Sequence, residues 1–253
     1  MLTFFKSKYY LKDLIPNDYI DIHNHLLPGI DDGAKTVAET TILIARMKEI
    51  NIAGAIATPH TYKGYWNNRA SSIKNAYDNA TEINSNTSFL KGYASEYMLD
   101  ATLIERINKE TLLYIQNPYI LVELPLFNNP IDLYEMLFEL KSKEYKIIIA
   151  HPERYLYFHN DFRKFNKLKA SGVYFQLNLL SLTGYYGKEI QKIAETLLEN
   201  DMYDFTGTDI HNEKHIDELI KKPILFSKKN KIGDLLQKNT VFNNSSFFKY
   251  NVT

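Results

Sequence analysis

The sequence contains no cysteine in 253 residues. That excludes disulfides, thiolate zinc sites, iron–sulfur clusters and a cysteine nucleophile. It has no charge surplus either: 30 Lys and Arg balance 30 Asp and Glu, and the pI is about 7.1. A dedicated nucleic-acid binder carries a basic excess, so that class is set aside. No apolar run approaches the roughly 18 residues needed to span a bilayer. The opening Met1-Leu2-Thr3-Phe4-Phe5-Lys6 lacks the apolar stretch of a secretory signal and leads into Lys12, Asp13 and Asp18. The expectation is a cytoplasmic chain with no membrane insertion and no nucleic-acid partner. Glycine (10) and proline (8) are sparse, and no linker rich in either divides the chain, so residues 1–253 read as a single domain. Hydrophobic content of 45% and charged content of 24% suit an ordinary globular core.

What is present is a regular alternation of short apolar strands and amphipathic helices. Strands are expected at Tyr19–His23, Ile52–Thr58, Phe89–Ala94, Tyr119–Glu123, Lys146–Ala150, Val173–Leu177 and Tyr203–Thr206. Helices are expected at Val37–Lys48, with Thr36 and Glu39 spaced as a capping box, and at Arg69–Ile83, Ala101–Asn108, Ile131–Ser142, Asp161–Ala170 and Lys188–Glu199. The remainder holds one or two helices and a polar tail rich in Asn and Ser. Seven strands separated by helices imply parallel pairing with right-handed crossovers, in a barrel or an open doubly wound sheet. Periodicity leaves both open.

The informative pattern is where polar residues fall. The first strand runs into His23-Asn24-His25 and the second into Thr58-Pro59-His60. The third leads to Ser95-Glu96 and the fourth ends in Glu123. The fifth ends in His151-Pro152-Glu153-Arg154 and the seventh in Thr208-Asp209-Ile210-His211. Strand C-termini are where such folds gather catalytic groups. Five of the seven histidines lie there; His159 and His215 do not. A lone histidine after a strand is commonly a hydrogen-bonded surface residue, and Asp31-Asp32-Gly33 alone could be a turn. In conjunction, however, His23, His25, Asp32, His60, Glu96, Glu123, His151, Asp209 and His211 make nine candidate ligands, too many for one tetrahedral ion. Imidazole and carboxylate without sulfur suit zinc, manganese or iron. Ions about 3.5–4 Å apart would clamp the oxygens of a displacement at phosphorus.

These residues are recognisable. His23-x-His25, the Asp31-Asp32-Gly33 loop, Thr58-Pro59-His60, Glu96, Glu123, His151-Pro152-Glu153-Arg154 and Asp209-x-His211 resemble the PHP (polymerase and histidinol phosphatase) superfamily. Within it, the block from Asp21 to Gly33 is similar to the bacterial metal-dependent protein-tyrosine phosphatases of capsule and exopolysaccharide loci, the CpsB/CapC family. The resemblance runs from about residue 19 to 215. It implies a distorted (β/α)7 barrel with its metal site at the C-terminal ends of the strands, and three divalent ions, manganese foremost, with iron or zinc as alternatives. One ion would take His23, His25, Glu96 and Asp209, a second Glu96, Glu123 and His151, and a third Asp32, His60 and His211. Arg154 would hold the phosphate. The implied substrate is a phosphotyrosine-bearing protein, a bacterial tyrosine kinase tail that controls capsule or exopolysaccharide synthesis. The sequence departs from the family pattern in one place. The stretch after Asp209-x-His211 is Asn212-Glu213-Lys214-His215-Ile216, without the second arginine expected there, so Lys214 or His215 is left as its stand-in.

The implied mechanism is direct hydrolysis by an activated water, with His60 and His211 as further catalytic candidates. Two other readings stay open: a phosphatase for a small ester such as histidinol phosphate, and a non-catalytic metal-binding PHP domain. Among 19 tyrosines, Tyr62, Tyr65, Tyr97 and Tyr155 fall near the motifs and are either packing residues or a platform for a phosphotyrosine ring.

Overall fold

Runs of aliphatic residues such as Ile120-Leu121-Val122 and Ile147-Ile148-Ile149 are buried on both faces, as strands covered by helices require. The computed structural model describes residues 7–226 and 229–243. Its strands are β1 (Ser7–Tyr9), β2 (Ile20–Asp21), β3 (Gly54–Ala57), β4 (His60–Thr61), β5 (Leu90–Tyr93), β6 (Glu96–Met98), β7 (Tyr119–Glu123), β8 (Lys146–Ala150), β9 (Tyr174–Asn178), β10 (Phe205–Gly207) and β11 (Ile224–Phe226). The order β2-β3-β5 forms one parallel sheet, and β4-β6-β7-β8-β9-β10 forms a second.

The two sheets are parts of one ring. Thr58-Pro59 separates β3 from β4, and Ala94-Ser95 separates β5 from β6, yet the ladder crosses both breaks. The Ala94 amide donates to the Ala57 carbonyl at 2.7 Å, and the Glu96 amide donates to the Pro59 carbonyl at 3.0 Å. Proline has no N–H to continue a regular ladder, so the pair kinks there. On the other side the Asp209 amide donates to the His23 carbonyl (2.7 Å) and the His25 amide to the Ile210 carbonyl (2.9 Å), which joins the end of β2 to the end of β10. Seven strand positions thus close into a distorted parallel barrel, the architecture that the family resemblance implied and that periodicity had left open beside an open sheet.

The helices lie between successive strands with their ends within two residues of expectation: Val37–Lys48, Ala70–Thr81, Ala101–Ile107, Leu133–Ser142, Arg163–Ala170 and Lys188–Glu199. Thr36 accepts the Glu39 amide at 3.2 Å, and the Glu39 carboxylate accepts the Lys35 amide at 2.9 Å, one residue earlier than a standard capping box. Helices Glu213–Lys221 and Lys229–Lys238 follow, and two single-turn helices, Asn84–Thr87 and Leu156–His159, were not expected. Three departures concern short elements. β4 and β6 lie just beyond the runs Ile52–Thr58 and Phe89–Ala94 that were expected as strands. The leader, without a role in the sequence reading, contributes β1, which pairs antiparallel with β11, and Leu11 is fully buried behind it. The Asn- and Ser-rich tail beyond residue 243 lies outside the described residues. Among those described, no helix is long and apolar enough to cross a membrane.

Because the β2–β10 seam has so few ladder bonds, a side chain reinforces it. Asn239 is fully buried; its Oδ1 accepts the Thr206 amide at 2.9 Å, and its Nδ2 donates to the carbonyls of Ile20 (2.9 Å) and Thr206 (2.8 Å). Removing it leaves buried backbone groups unpaired, each at a cost of about 1–3 kcal/mol. Asn239→Ala should therefore destabilise the protein by about 2–4 kcal/mol in denaturant titration, and a change below about 0.5 kcal/mol would show that the seam does not depend on it.

Candidate metal centre

All nine residues singled out in the sequence converge on one cup at the C-terminal mouth of the barrel. Glu96, at the start of β6, forms its floor. Glu96 Oε1 lies 3.2 Å from His23 Nε2 and 3.2 Å from His151 Nε2; its Oε2 lies 2.9 Å from His60 Nδ1 and 3.6 Å from His25 Nε2. Asp209 Oδ1 stands 3.4 Å from His23 Nε2 and 3.3 Å from His25 Nε2. Glu123 Oε1, at the end of β7, is 3.2 Å from His60 Nδ1. Asp32 Oδ1, on the outer loop, is 3.3 Å from His211 Nε2 and 3.6 Å from His60 Nε2. Four overlapping sets have donor atoms within 4.8 Å of one another: His23, His25 and Asp209; His23, Glu96 and His151; His60, Glu96 and Glu123; and His25, Asp32, His60 and His211. The grouping differs in detail from the expected split. His60, half-buried on β4 between the floor and the Asp32 loop, faces Glu96 and Glu123 with Nδ1 and Asp32 with Nε2, so it belongs to two sets.

Local backbone aims these groups. His151 (φ 34°) and Asp209 (φ 54°) both adopt left-handed conformations just after their strands, a strain of about 1–3 kcal/mol each that turns the chain sharply at the mouth. Two glycines permit close approach. A β-carbon on Gly33 would collide with the backbone of His25, and one on Gly207 would reach within 2.5 Å of the His23 β-carbon.

A supporting layer fixes the imidazoles. His23 Nδ1 meets Gln176 Oε1 at 2.8 Å, His25 Nδ1 meets Asp31 Oδ2 at 2.7 Å, and His211 Nδ1 meets the Asp209 carbonyl at 2.9 Å. Each partner is an acceptor, so each Nδ1 carries the proton and each Nε2 lone pair points into the cup, the arrangement of metal-ligating histidines. Asp31 also accepts the amides of Gly33 (2.9 Å) and His60 (3.1 Å), tying the loop to β4. Asp21 accepts the Thr208 hydroxyl at 2.6 Å, and burial pushes its carboxyl up to about 6.

The fit to cations is testable on the donor atoms themselves. His23 Nε2, His25 Nε2, His60 Nδ1, both Glu96 oxygens and His151 Nδ1 are buried without a hydrogen-bond partner. Burial acts against charge on all these groups, yet the carboxylates prevail over it: beside Asp31 and Asp209, His25 is pushed up to about 10, and His23 and His60 rise as well, drawn by Glu96. Glu96 and Asp209 are held well below the usual carboxylate range by the imidazoles around them. A field that retains protons on imidazoles will hold divalent cations in their place. The donor set fits several such ions.

The cup opens into a cleft of about 700 Å³ whose wall includes Arg154, Tyr186, Tyr62, Tyr65 and His215. Arg154 Nη1 bonds Asp209 Oδ2 at 2.8 Å, and its guanidinium lies 4.4 Å from the centre of the Tyr186 ring. It pairs with neither Glu153 nor Asp161, since Glu153 is buried against Asn178, Ser181 and Tyr203, and Asp161 pairs with Arg163. Gly184 and Gly187, both at positive φ, form the turn that lays Tyr186 over Arg154. Of the two stand-ins for the second arginine, His215 lines the cleft, and burial and neighbouring His211 hold its pKa below the usual value. It therefore presents a neutral ring rather than a cation. Tyr62 and Tyr65 stack at 4.7 Å at the mouth, whereas Tyr97 and Tyr155 are core residues that bond the backbone of Leu113 and of Ala150 and Leu124.

A family model for capsular polysaccharide synthesis proteins, CpsB/CapC, matches residues 19–248. The chain belongs to the CpsB/CapC family. YwqE of Bacillus subtilis (strain 168), named a tyrosine-protein phosphatase, is 29% identical over 198 residues, covering 77% of this chain and 78% of YwqE. CpsB of Streptococcus pneumoniae, also named a tyrosine-protein phosphatase, is 26% identical over 203 residues, covering 76% and 83%. A crystal structure from work on these two proteins, described as metal-dependent tyrosine phosphatases, superposes with a TM-score of 0.76 at 27% identity, over 92% of this chain and 95% of that one.

In this CpsB/CapC chain the sequence reading missed Gln176, Asn178 and Tyr186. Gln176 and Asn178 alternate on one face of β9, and two buried polar residues at period two in an apolar strand were the available signal. Asn178 Nδ2 donates to Asp209 Oδ2 (2.9 Å) and to the Tyr186 hydroxyl (3.2 Å). If the supporting layer orients the imidazoles, Gln176→Leu and Asp31→Ala should each weaken divalent-metal affinity about 10- to 100-fold in a binding titration, with the fold retained. Unchanged affinity would show that these contacts are only structural.

Proposed function

We propose that this chain hydrolyses phosphotyrosine in proteins with the aid of divalent metal ions, and that its substrate is a bacterial tyrosine kinase acting in capsule or exopolysaccharide synthesis. The observation that carries the reading is a set of nine imidazole and carboxylate donors on the floor of a cleft, beside one arginine and under an aromatic rim. The family relatives named as tyrosine-protein phosphatases support the substrate class.

His23, His25, Glu96, Glu123, His151, Asp209, Asp32, His60 and His211 would hold three ions, manganese being the expected occupant and iron or zinc the alternatives. Bound there, divalent ions lower the pKa of a water toward about 7 and neutralise charge on the phosphoryl oxygens. The protein residues supply position and charge. Arg154 keeps one nitrogen on Asp209 and its face on Tyr186, so its remaining N–H groups are free to meet phosphoryl oxygens in charge-assisted bonds. The stacked Tyr62 and Tyr65 offer a face for the substrate ring. A tyrosyl phenolate, with a pKa of about 10, leaves more readily than an alkoxide. His60 or His211, which line the cleft, would hand it a proton only from a ring nitrogen not committed to metal.

Chelation should abolish hydrolysis of a phosphotyrosyl peptide, divalent metal should restore it, and thiol alkylation should have no effect. Full turnover by metal-free protein, or a preference for histidinol phosphate over the peptide, would sink the reading. Arg154→Ala should keep its metal content and lose about 2–4 kcal/mol of transition-state stabilisation, roughly 30- to 1000-fold in kcat/KM. Arg154→Lys should recover only part, because an ammonium keeps the charge but not the fork. Activity of the alanine variant within about twofold of the parent would leave Arg154 as a structural partner of Asp209.

A further inference from the structure

A second depression, of about 400 Å³, lies against the metal cleft and shares Trp66 and Met98 with it. It is bounded by the segment after β4 and by helix Ala101–Ile107 with the residues that follow. Its border carries Lys63, Arg69, Arg106 and Lys109 against Glu105 and Glu110. Arg106 is committed, bonding Glu110 at 3.1 Å and the Asn68 carbonyl at 3.0 Å. Lys63, Arg69 and Lys109 are exposed, and among the described residues none of them forms an ion pair. With Arg106 and Glu110 cancelling, three cations face one carboxylate, Glu105. In a chain with no overall charge surplus, a local excess beside the catalytic mouth is a feature of the site rather than of the composition. The basic segment is anchored from behind: Asn68, buried, donates to the carbonyls of Ile30 (2.9 Å) and His60 (2.8 Å), which ties the segment to the strand that carries a metal-facing imidazole.

We propose that this depression is a subsite for acidic residues flanking the phosphotyrosine of the substrate, with Lys63, Arg69 and Lys109 as its specificity-determining groups. The inference rests on the phosphotyrosine-phosphatase reading and goes beyond it by naming the peptide chemistry that the chain prefers. A carboxylate adjacent to the phosphotyrosine passes over the Trp66–Met98 partition and meets cations that form no ion pair among the described residues. None of the three touches the metal cup, so their effect belongs to substrate selection and leaves the chemical step alone.

The test compares wild type with the Lys63→Ala, Arg69→Ala, Lys109→Ala triple variant, each fully metal-loaded, on three substrates. These are a phosphotyrosyl peptide flanked by glutamates, the same peptide with glutamines, and p-nitrophenyl phosphate. Wild type should favour the glutamate peptide over the glutamine peptide by about tenfold in kcat/KM through KM, and the preference should shrink as salt is raised and the Debye length falls below about 8 Å. The triple variant should lose the preference yet hydrolyse p-nitrophenyl phosphate at the wild-type rate. A wild type indifferent to the flanking residues, or a variant that keeps the preference, overturns the subsite. Failure of wild type on all three substrates would instead overturn the phosphatase reading itself.

Discussion

A buried carboxylate with no hydrogen bond to either oxygen is costly unless a cation meets it, and Glu96 is such a group. It sits on the floor of the barrel mouth with His23, His25, His60 and His151 within 3.6 Å of its two oxygens. Imidazoles crowded around a carboxylate can neutralise it only by taking up protons, and four such rings cannot all do so without repelling one another. Divalent cations held by these residues would resolve the conflict. Much of the architecture around the mouth follows from placing those donors.

The barrel is distorted where the donors need it to be. The Pro59 and Ser95 interruptions turn β4 and β6 inward, bringing His60 and Glu96 side by side in register. Left-handed backbone at His151 and Asp209 and the absence of a side chain at Gly33 and Gly207 let the remaining ligands converge. The cost in strain and ladder bonds is offset elsewhere, by Asn239 across the seam, by Asp21 holding Thr208, and by an apolar core that runs unbroken from Leu11 to Phe242. Arg154 is likewise set by its surroundings: Asp209 and Tyr186 fix its position, and Asn178 fixes both of them. The phosphate-facing group therefore depends on the same carboxylate as the metal-facing ones.

Much of this was legible in the sequence because it is written in strand ends. Ile120-Leu121-Val122 and Ile147-Ile148-Ile149 read as buried strands whatever surrounds them, and polar residues after them stand out. What escaped was chemistry carried by residues that are unremarkable one at a time. Gln176 sits within a strand, and Asn178 ends it as an uncharged amide rather than an imidazole or carboxylate; their importance depends on His23 and Asp209, more than thirty residues away at the ends of other strands. Tyr186 is one of 19 tyrosines, and only the Gly184 and Gly187 turn places it over Arg154. β4 went unread because Thr58-Pro59 closes the apolar run Ile52–Ala57, so His60-Thr61 read as its end rather than as a second short strand. His60, expected with Asp32 and His211 alone, also reaches Glu96 because β4 pairs with β6, a register that no local pattern announces.

The imidazole–carboxylate cup is inferred to hold several divalent cations, with Glu96 shared among them. Elemental analysis of purified protein, parent beside Glu96→Ala, tests it most directly. The parent should carry about three divalent equivalents per chain, and the variant should lose at least two of them while circular dichroism shows the fold intact. A parent that binds no divalent metal under any loading condition, or a Glu96→Ala variant that keeps its full complement, would contradict it.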